Sequence, residues 1–576
     1  MKDPLRERTE QMKLRNKPNP HSIAEGAAAR PQEPTFGARS LEPSRRVVES
    51  SFASAEPLGR RALRSSANTR VVGPTPEGSA RTSGFYPAHV VHPRLVHEEH
   101  RGNAKRPLRV MKFGGTSVGD ASCIQRVVDI VRAVARESGV VVVVSAMSGV
   151  TNKLVEAATQ SGAGNRDSIA AIFEELRQRH LTAAHLLMPA AEQRQPVVRK
   201  LEEHLQNGER LCLQTVLRGE LTLAALDAIS GLGERLSVPL VAAALAERGV
   251  PSEVIDATEL VVTDSCHGAA EPFMDLTRER CEARLRPILE QGIVAVVTGF
   301  IGATVEGVPT TLGRNSSDYS GTIMGAALDA DEVTLWTDVD GILTADPRLV
   351  PGACSILEMS YREASDLADL GAKVLHHKTL GALMQRGIPL AIRNTFAPDR
   401  PGTKITPTPS SNKVGVKALT SANDVALLTV RASSALGAPE VLRRTLATAA
   451  AVPAHVRLIP QSCLSPCEIC IVVPKLVAEP TIEALRRDFA QAAEPESVTA
   501  VTLNSAIAMV TVVGEKMLGV GGLVERVLGA LRSENLIVLA SAQGSSQSSF
   551  SFVVPASDLK AALVTAHREL QLSAVS

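Results

Sequence analysis

With 576 residues, the chain has room for roughly three or four domains of about 150 residues each. Hydrophobic residues make up 44% and aromatics only 3%, so a large aliphatic core is available while base stacking on Phe, Tyr or Trp is a poor mode of recognition. The net charge of +1 is uneven: residues 1–107 hold 19 basic and 11 acidic side chains, leaving 43 and 50 for the rest, a net −7 that gives no reason to expect nucleic acid or a membrane as partner.

No run approaches the ~18 consecutive apolar residues of a membrane span, and the polar N-terminus lacks the apolar stretch of a secretory signal. Eight scattered cysteines fit a reducing compartment, so a cytoplasmic protein is expected. Cys463, Cys467 and Cys470 lack a fourth neighbouring ligand and read as strand residues rather than a zinc site.

Residues 1–107 are rich in Arg, Pro, Ser, Glu and Ala without sustained periodicity, and read as a disordered extension. Acidic residues are too frequent there for a good organellar transit peptide. At Leu108 the texture changes. A short apolar strand ends in Lys112, followed by Gly114, Gly115, Thr116 and Ser117, and then by a helix with Ile124, Val127, Val128 and Val131 on one face. Strand, glycine turn and helix leave backbone N–H groups free at a helix N-terminus, where a phosphate is stabilised, and Lys112 adds a full positive charge. The valine run after Gly139 is a strand buried on both faces, ending in the small-residue loop Ser145-Ala-Met-Ser-Gly-Val-Thr-Asn152. Residues 165–229 read as helices with charged faces. Strands follow at 251–255, 293–298 and 333–338, with loops at 299–302, 310–320 and 339–347. Strands alternating with helices over ~300 residues predict a doubly wound α/β sheet, with ligands at the strands' C-terminal ends.

A Pro/Thr/Ser/Asn linker follows Lys404. The last third then repeats itself: the stretch from Val456 to Pro474 matches that from Ile537 to Pro555, each flanked by strand-like and helical segments. Two copies of a β-α-β-β-α unit is the economical reading, and neither carries an obvious nucleophile, base or metal set.

Four cations (Lys112, Arg314, Arg348, Lys373) and three carboxylates (Asp318, Asp338, Asp346) fall at or near strand ends, beside glycine loops. That inventory suits phosphoryl transfer, in which positioning and charge neutralisation dominate. The Walker-type pattern G-x-x-x-x-G-K-[ST] is absent.

Lys112-Phe-Gly-Gly-Thr-Ser117, the 145–152 loop, Gly233-Glu-Arg-Leu-Ser237, Gly299-Phe-Ile-Gly302, Gly313-Arg-Asn-Ser-Ser-Asp-Tyr-Ser320, Trp336-Thr-Asp-Val-Asp-Gly341 and Gly371-Ala-Lys-Val-Leu-His376 resemble, in order, the signatures of the aspartate kinases. The repeated tail resembles their paired ACT domains. The resemblance implies an amino-acid-kinase α/β sandwich over 108–405, followed by two α+β, ferredoxin-like ACT domains at 415–494 and 498–576. It implies the reaction ATP + L-aspartate giving ADP + 4-phospho-L-aspartate, with Mg²⁺ bridging phosphate oxygens, as the first step of lysine, threonine and methionine biosynthesis.

Carried over residue by residue, Lys112, Arg314 and Asp318 are catalytic. Lys112 neutralises the moving phosphoryl group, Arg314 holds the substrate α-carboxylate, and Asp318 positions the cations and the amino group. Ser145, Thr151, Glu234 and Phe300 complete the amino-acid pocket. Gly114, Gly115, Thr337, Asp338, Asp346, Arg348 and Lys373 line the nucleotide side. Ser316 replaces a usual glycine, which predicts a loop less free to take positive φ. Leu343 replaces a common tyrosine, and His376-His377 replaces His-Pro. Gln461 and Gln543 occupy equivalent turns of the repeat and are the expected effector-binding residues, with threonine the first choice of effector and lysine the second. With no second nucleotide domain before Ser576, the resemblance implies a monofunctional enzyme, homo-oligomeric through its ACT domains. A glutamate kinase and a catalytically dead amino-acid sensor are the competing readings.

Overall fold

The computed structural model describes residues 106–313, 316–370, 377–409, 415–432, 438–452, 454–462, 467–491, 498–517, 521–543 and 548–572. Expectations placed on residues 1–105, Arg314, Lys373, His376 and Cys463 lie outside the described residues.

The catalytic half opens with β1 (Leu108–Phe113), α1 (Ala121–Ala135) and β2 (Gly139–Val144). A helical layer follows: α2 (Val150–Gly162), α3 (Arg166–Leu187), α4 (Ala191–Arg218), α5 (Leu223–Ser230) and α6 (Leu232–Glu247). Next come β3 (Ser252–Ile255), β4 (Val262–Thr263), α7 (Met274–Glu290), β5 (Val294–Thr298), β6 (Ile301–Thr304), β7 (Pro309–Thr311) and α8 (Ser317–Leu328). β8 (Glu332–Thr337), β9 (Glu358–Ser360), α9 (Tyr361–Asp369), α10 (His377–Met384), β10 (Leu390–Asn394) and β11 (Thr403–Thr406) complete it.

Eight strands form one sheet in the order β3-β5-β2-β1-β8-β10-β11-β9. β1 lies at its centre, parallel to β2 on one side and β8 on the other. The five valines of β2 are all buried because helices cover both faces. Val140, Val142 and Val144 enter one core with Ile124, Leu154 and Leu236, while Val141 and Val143 enter the other with Leu285, Ile323 and Met324. Strand alternation therefore divides one apolar run between two layers. One helical stretch among the described residues, Leu223–Glu247, is long and apolar enough to cross a membrane by composition, but 83% of it is buried inside the fold, where α5 and α6 serve as core.

The C-terminal half contains β12 (Gly415–Ala422), β13 (Val425–Ala432), α11 (Ala438–Ala451), β14 (Gln461–Ser462), β15 (Cys467–Pro474) and α12 (Lys475–Ala490). It continues with β16 (Val498–Asn504), β17 (Ile507–Glu515), α13 (Leu523–Ser533), β18 (Ala540–Gln543), β19 (Ser549–Pro555) and α14 (Leu559–Glu569). The repeat folds as two α+β units, but their sheets cross the linear boundaries expected at 415–494 and 498–576. One sheet runs β14-β15-β13-β16 and the other β12-β17-β19-β18. β12 thus joins the second unit, and β16 completes the first. A strand's own pattern states which face is apolar but not which distant partner it pairs with, so the exchange is invisible locally.

This exchange ties the second unit to the catalytic half. Adjacent residues of β12 serve different cores, Ala418 that of α8 and Leu419 that of α14. A register shift between Val416 and Ala418 marks Lys417 as the irregular position, a device that re-aims a side chain. Its ammonium reaches the Glu358 carbonyl at 2.9 Å and Glu363 on α9 at 3.4 Å, with both side chains buried.

Candidate active site

The carboxyl ends of β1, β2, β5 and β8 meet the first turns of α6 and α8. Lys112, at the end of β1, is 6% exposed, and its ammonium bonds the Asp318 carboxylate in the first turn of α8. The pairing requires α8 to lie against β1, and Gly321 permits this: a Cβ there would stand 2.9 Å from Lys112 Cβ. Beyond Lys112 the chain turns at Gly114, whose N–H donates to Trp336 O at 3.1 Å. Gly115 has ordinary φ, −61°, so positive φ is not what demands glycine here. A Cβ at Gly115 would lie 2.9 Å from Ala146 O, and Ser148 N–H donates to Gly115 O at 3.1 Å. The two small-residue loops interlock, and side chains are excluded where they touch.

Glu234 enters from the first turn of α6 and is 2% exposed. Its Oε1 accepts the Ala146 N–H at 3.0 Å, while Oε2 is buried without a hydrogen-bond partner among the described residues. Burial pushes its carboxyl up to about 8, against the lowering effects of the Ala146 N–H and the Lys112 charge. A buried carboxylate oxygen with no donor suits a ligand's ammonium group. Ser145 and Thr151 are half-buried beside this loop pair. Ser237, one turn after Glu234, accepts the Met147 N–H at 3.1 Å and fixes the same loop.

Phe300, expected in the amino-acid pocket, is 9% exposed with φ +67°, unusual for a bulky side chain. Its N–H donates to Ser320 Oγ at 2.8 Å and its carbonyl accepts the Leu312 N–H at 3.0 Å. Ser316, expected to make the loop less free to take positive φ, does not take it. Its φ is −87° at the N-cap of α8, a conformation open to any residue, and its buried hydroxyl has no partner among the described residues.

On the β8 side, Thr337 donates to Asp338 at 3.2 Å, and its carbonyl accepts the Thr395 N–H at 2.8 Å. Asp338 is exposed. Asp346 and Arg348 clasp each other in a turn, with a guanidinium contact at 2.6 Å. Their neighbours Ala345 and Val350 sit in the core of the second C-terminal unit. Thr344, in the same loop, is 2.9 Å from His567 Nε2 on α14. Gln543 is exposed on edge strand β18; Gln461 lies on β14, and its side chain is not among those described.

Several structural supports escaped the sequence reading. Asp227, Lys417 and Glu363 are buried, yet they stand in ordinary apolar or charged surroundings with no motif to mark them.

Residues 107–394 match the Amino acid kinase family and residues 510–570 the ACT domain family. The chain is 32% identical over 469 residues to a maize bifunctional aspartokinase/homoserine dehydrogenase, covering 81% of this chain and 50% of that protein. It therefore spans about half the length of the curated relatives of that bifunctional type. It is 30% identical over 469 residues to the lysine-sensitive aspartokinase 3 of Escherichia coli, covering 80% of this chain and 98% of that one. The E. coli aspartokinase III structure with aspartate and ADP superposes with a TM-score of 0.67 at 28% identity, over 81% of this chain and all of that chain. The chain belongs to the amino acid kinase family and, within it, to the aspartokinases.

Proposed function

We propose that the chain transfers the γ-phosphoryl group of ATP to the β-carboxylate of L-aspartate, giving ADP and 4-phospho-L-aspartate. The observation that carries this reading is the buried Lys112 paired with a half-buried Asp318, beside a Glu234 whose second carboxylate oxygen lacks a partner among the described residues. Likeness to an enzyme whose structure holds aspartate and ADP supports it.

In the reaction, a β-carboxylate oxygen attacks the γ-phosphorus and the bond to the β–γ bridging oxygen breaks, its electron pair leaving with ADP. A β-carboxylate, with an ordinary pKa near 4, is already ionised at neutral pH, so no general base is required. Asp318 accordingly serves to hold the Lys112 ammonium at the end of β1, where charge on the transferring oxygens is neutralised. Gly114 and Gly115 let the backbone approach the phosphates. Glu234 receives the substrate ammonium, with Ser145, Thr151 and Phe300 around it, and Arg314 takes the α-carboxylate. Thr337, Asp338, Asp346, Arg348 and Lys373 form the nucleotide side. Exposed Asp338, with its hard carboxylate oxygens, would hold a magnesium–nucleotide complex. Magnesium supplies further neutralisation of those oxygens when bound.

The catalytic unit covers 108–405. The ACT units bind an amino-acid effector, threonine or lysine, near Gln461 and Gln543, and join copies of the chain into an oligomer in the cytoplasm. A structure of the E. coli relative holds lysine together with aspartate. The test is ATP-dependent aspartyl hydroxamate formation by the full chain with aspartate or glutamate, each with and without threonine or lysine. Product with aspartate that disappears in Lys112→Ala is expected. Folded protein giving no product overturns the proposal.

A further inference from the structure

Asp227, at the end of α5, is a buried carboxylate that none of the steps above uses. It is 3% exposed. Four donors converge on it: the Thr311 N–H at 3.1 Å and hydroxyl at 2.5 Å, His267 Nδ1 at 2.9 Å, and the Gly268 N–H at 3.0 Å. Two of these come from β7, one from a loop histidine and one from the loop backbone. An acceptor this well satisfied is rigid, and removing it strands several donors at once.

What it holds together lies on the amino-acid side of the site. On its own chain, the Asp227 carbonyl accepts the Gly231 N–H at 3.0 Å. Gly231 is the N-cap of α6, whose first turn carries Glu234. Gly231 has no room for a side chain, since a Cβ there would meet Ile301 Cγ2 at 2.7 Å. Across the fold, Thr311 is followed by Leu312, whose N–H donates to the carbonyl of Phe300, a residue held at φ +67°. Gly313 follows at φ +102°. Gly268, held by Asp227, presents its carbonyl 3.7 Å from where a Cβ of Gly313 would stand.

We propose that Asp227 is the positioning residue of the aspartate pocket: its carboxylate ties α5, which leads directly into the Glu234 helix α6, to Thr311 and Gly268, and through Thr311 it sets Phe300. Lys112, Gly114 and Gly115 are held by different bonds, to Asp318, Trp336 and the 145–148 loop. Asp227 makes none of these bonds. This inference rests on the aspartate kinase reading.

The test compares steady-state kinetics of the full chain in Asp227→Asn, Thr311→Val and Thr311→Ser. Asn keeps the shape but turns an acceptor into a donor facing donors. Asp227→Asn is expected to raise KM for aspartate roughly ten- to hundredfold, while KM for ATP stays within about twofold. Thr311→Val, which loses only the hydroxyl bond, shifts KM for aspartate in the same direction by less, and Thr311→Ser, which keeps both bonds, restores the wild-type value. If Asp227→Asn fails to fold, the two Thr311 variants decide. Equal changes in both KM values, or a lower melting temperature with KM for aspartate unchanged, overturn the inference. Wild-type protein with no aspartate-dependent turnover sinks the underlying reading instead.

Discussion

Glu234→Gln offers the sharpest perturbation, because the wild-type group titrates within the working pH range. Its carboxyl, ordinarily at 4.5, is raised to about 8 by burial. In the empty pocket it is then ionised in about one molecule in a hundred at pH 6 and one in two at pH 8. If the substrate ammonium pairs with the ionised form, KM for aspartate falls about fiftyfold between those pH values, with kcat far less affected. The Gln variant has no charge to gain, and its KM should be flat. Calorimetric binding of aspartate at pH 7, in two buffers of different ionisation enthalpy, supplies a readout independent of turnover. About 0.9 proton should be released by the wild type and none by the variant. The same shift works on stability. The unfolded chain ionises above 4.5 while the fold keeps the proton to about 8, so this group's contribution is lost as pH rises through that window, by on the order of 5 kcal/mol. A flat wild-type KM with no buffer-dependent heat would refute this reasoning.

Lys112→Met keeps the aliphatic stem but leaves Asp318 without its partner; turnover should drop at least ~100-fold at unchanged secondary structure, checked by circular dichroism alongside the hydroxamate assay. Lys417→Met leaves the buried Glu363 carboxyl with the Ser360 N–H but no cation and should cost about 3–5 kcal/mol in chemical unfolding, whereas the double change Lys417→Met with Glu363→Leu recovers most of it. No recovery in the double variant would mean the pair is not the cause. Gly115→Ala must separate two interlocked loops at a 2.9 Å contact and should abolish activity, while Ser316→Gly, at φ −87°, relieves no strain and should leave kcat within about twofold.

The parts of this molecule legible in sequence are those whose cause is local. The five-valine strand, the glycine turn after Lys112 and the helix behind it follow from periodicity and backbone freedom, and their order announces a doubly wound sheet. Lys112, Glu234 and Asp318 stand out as candidates because each sits in a short motif at a strand or helix end. What stayed hidden depends on partners far away in the chain. Asp227 and Thr311 are 84 residues apart, and an aspartate among Leu, Ala and Ile gives no sign that four donors await it. Ser316 is the contrasting case: its residue type argued against positive φ, and the backbone there, at an N-cap, has φ −87°.

The strand exchange in the C-terminal half changes how regulation can be carried. Had each repeat folded on its own linear segment, the second ACT unit could hang from the enzyme by one linker. Instead β12, immediately after the linker, is the edge of that unit's sheet, and its alternate residues are split between the kinase core and the ACT core. The Leu419 N–H of this strand donates to Thr344 O at 2.7 Å. Thr344 also meets His567, and the flanking Ala345 and Val350 pack inside the ACT core. The loop that carries Asp346 and Arg348 is thus anchored in the interior of the second C-terminal unit through Ala345 and Val350. Close-packed interiors have few intermediate arrangements, so a shift of the β12–β17 pair must move this loop or break its packing. An effector that favours one arrangement of the ACT sheet needs no separate relay, because the strand that completes that sheet already touches the loop it would control.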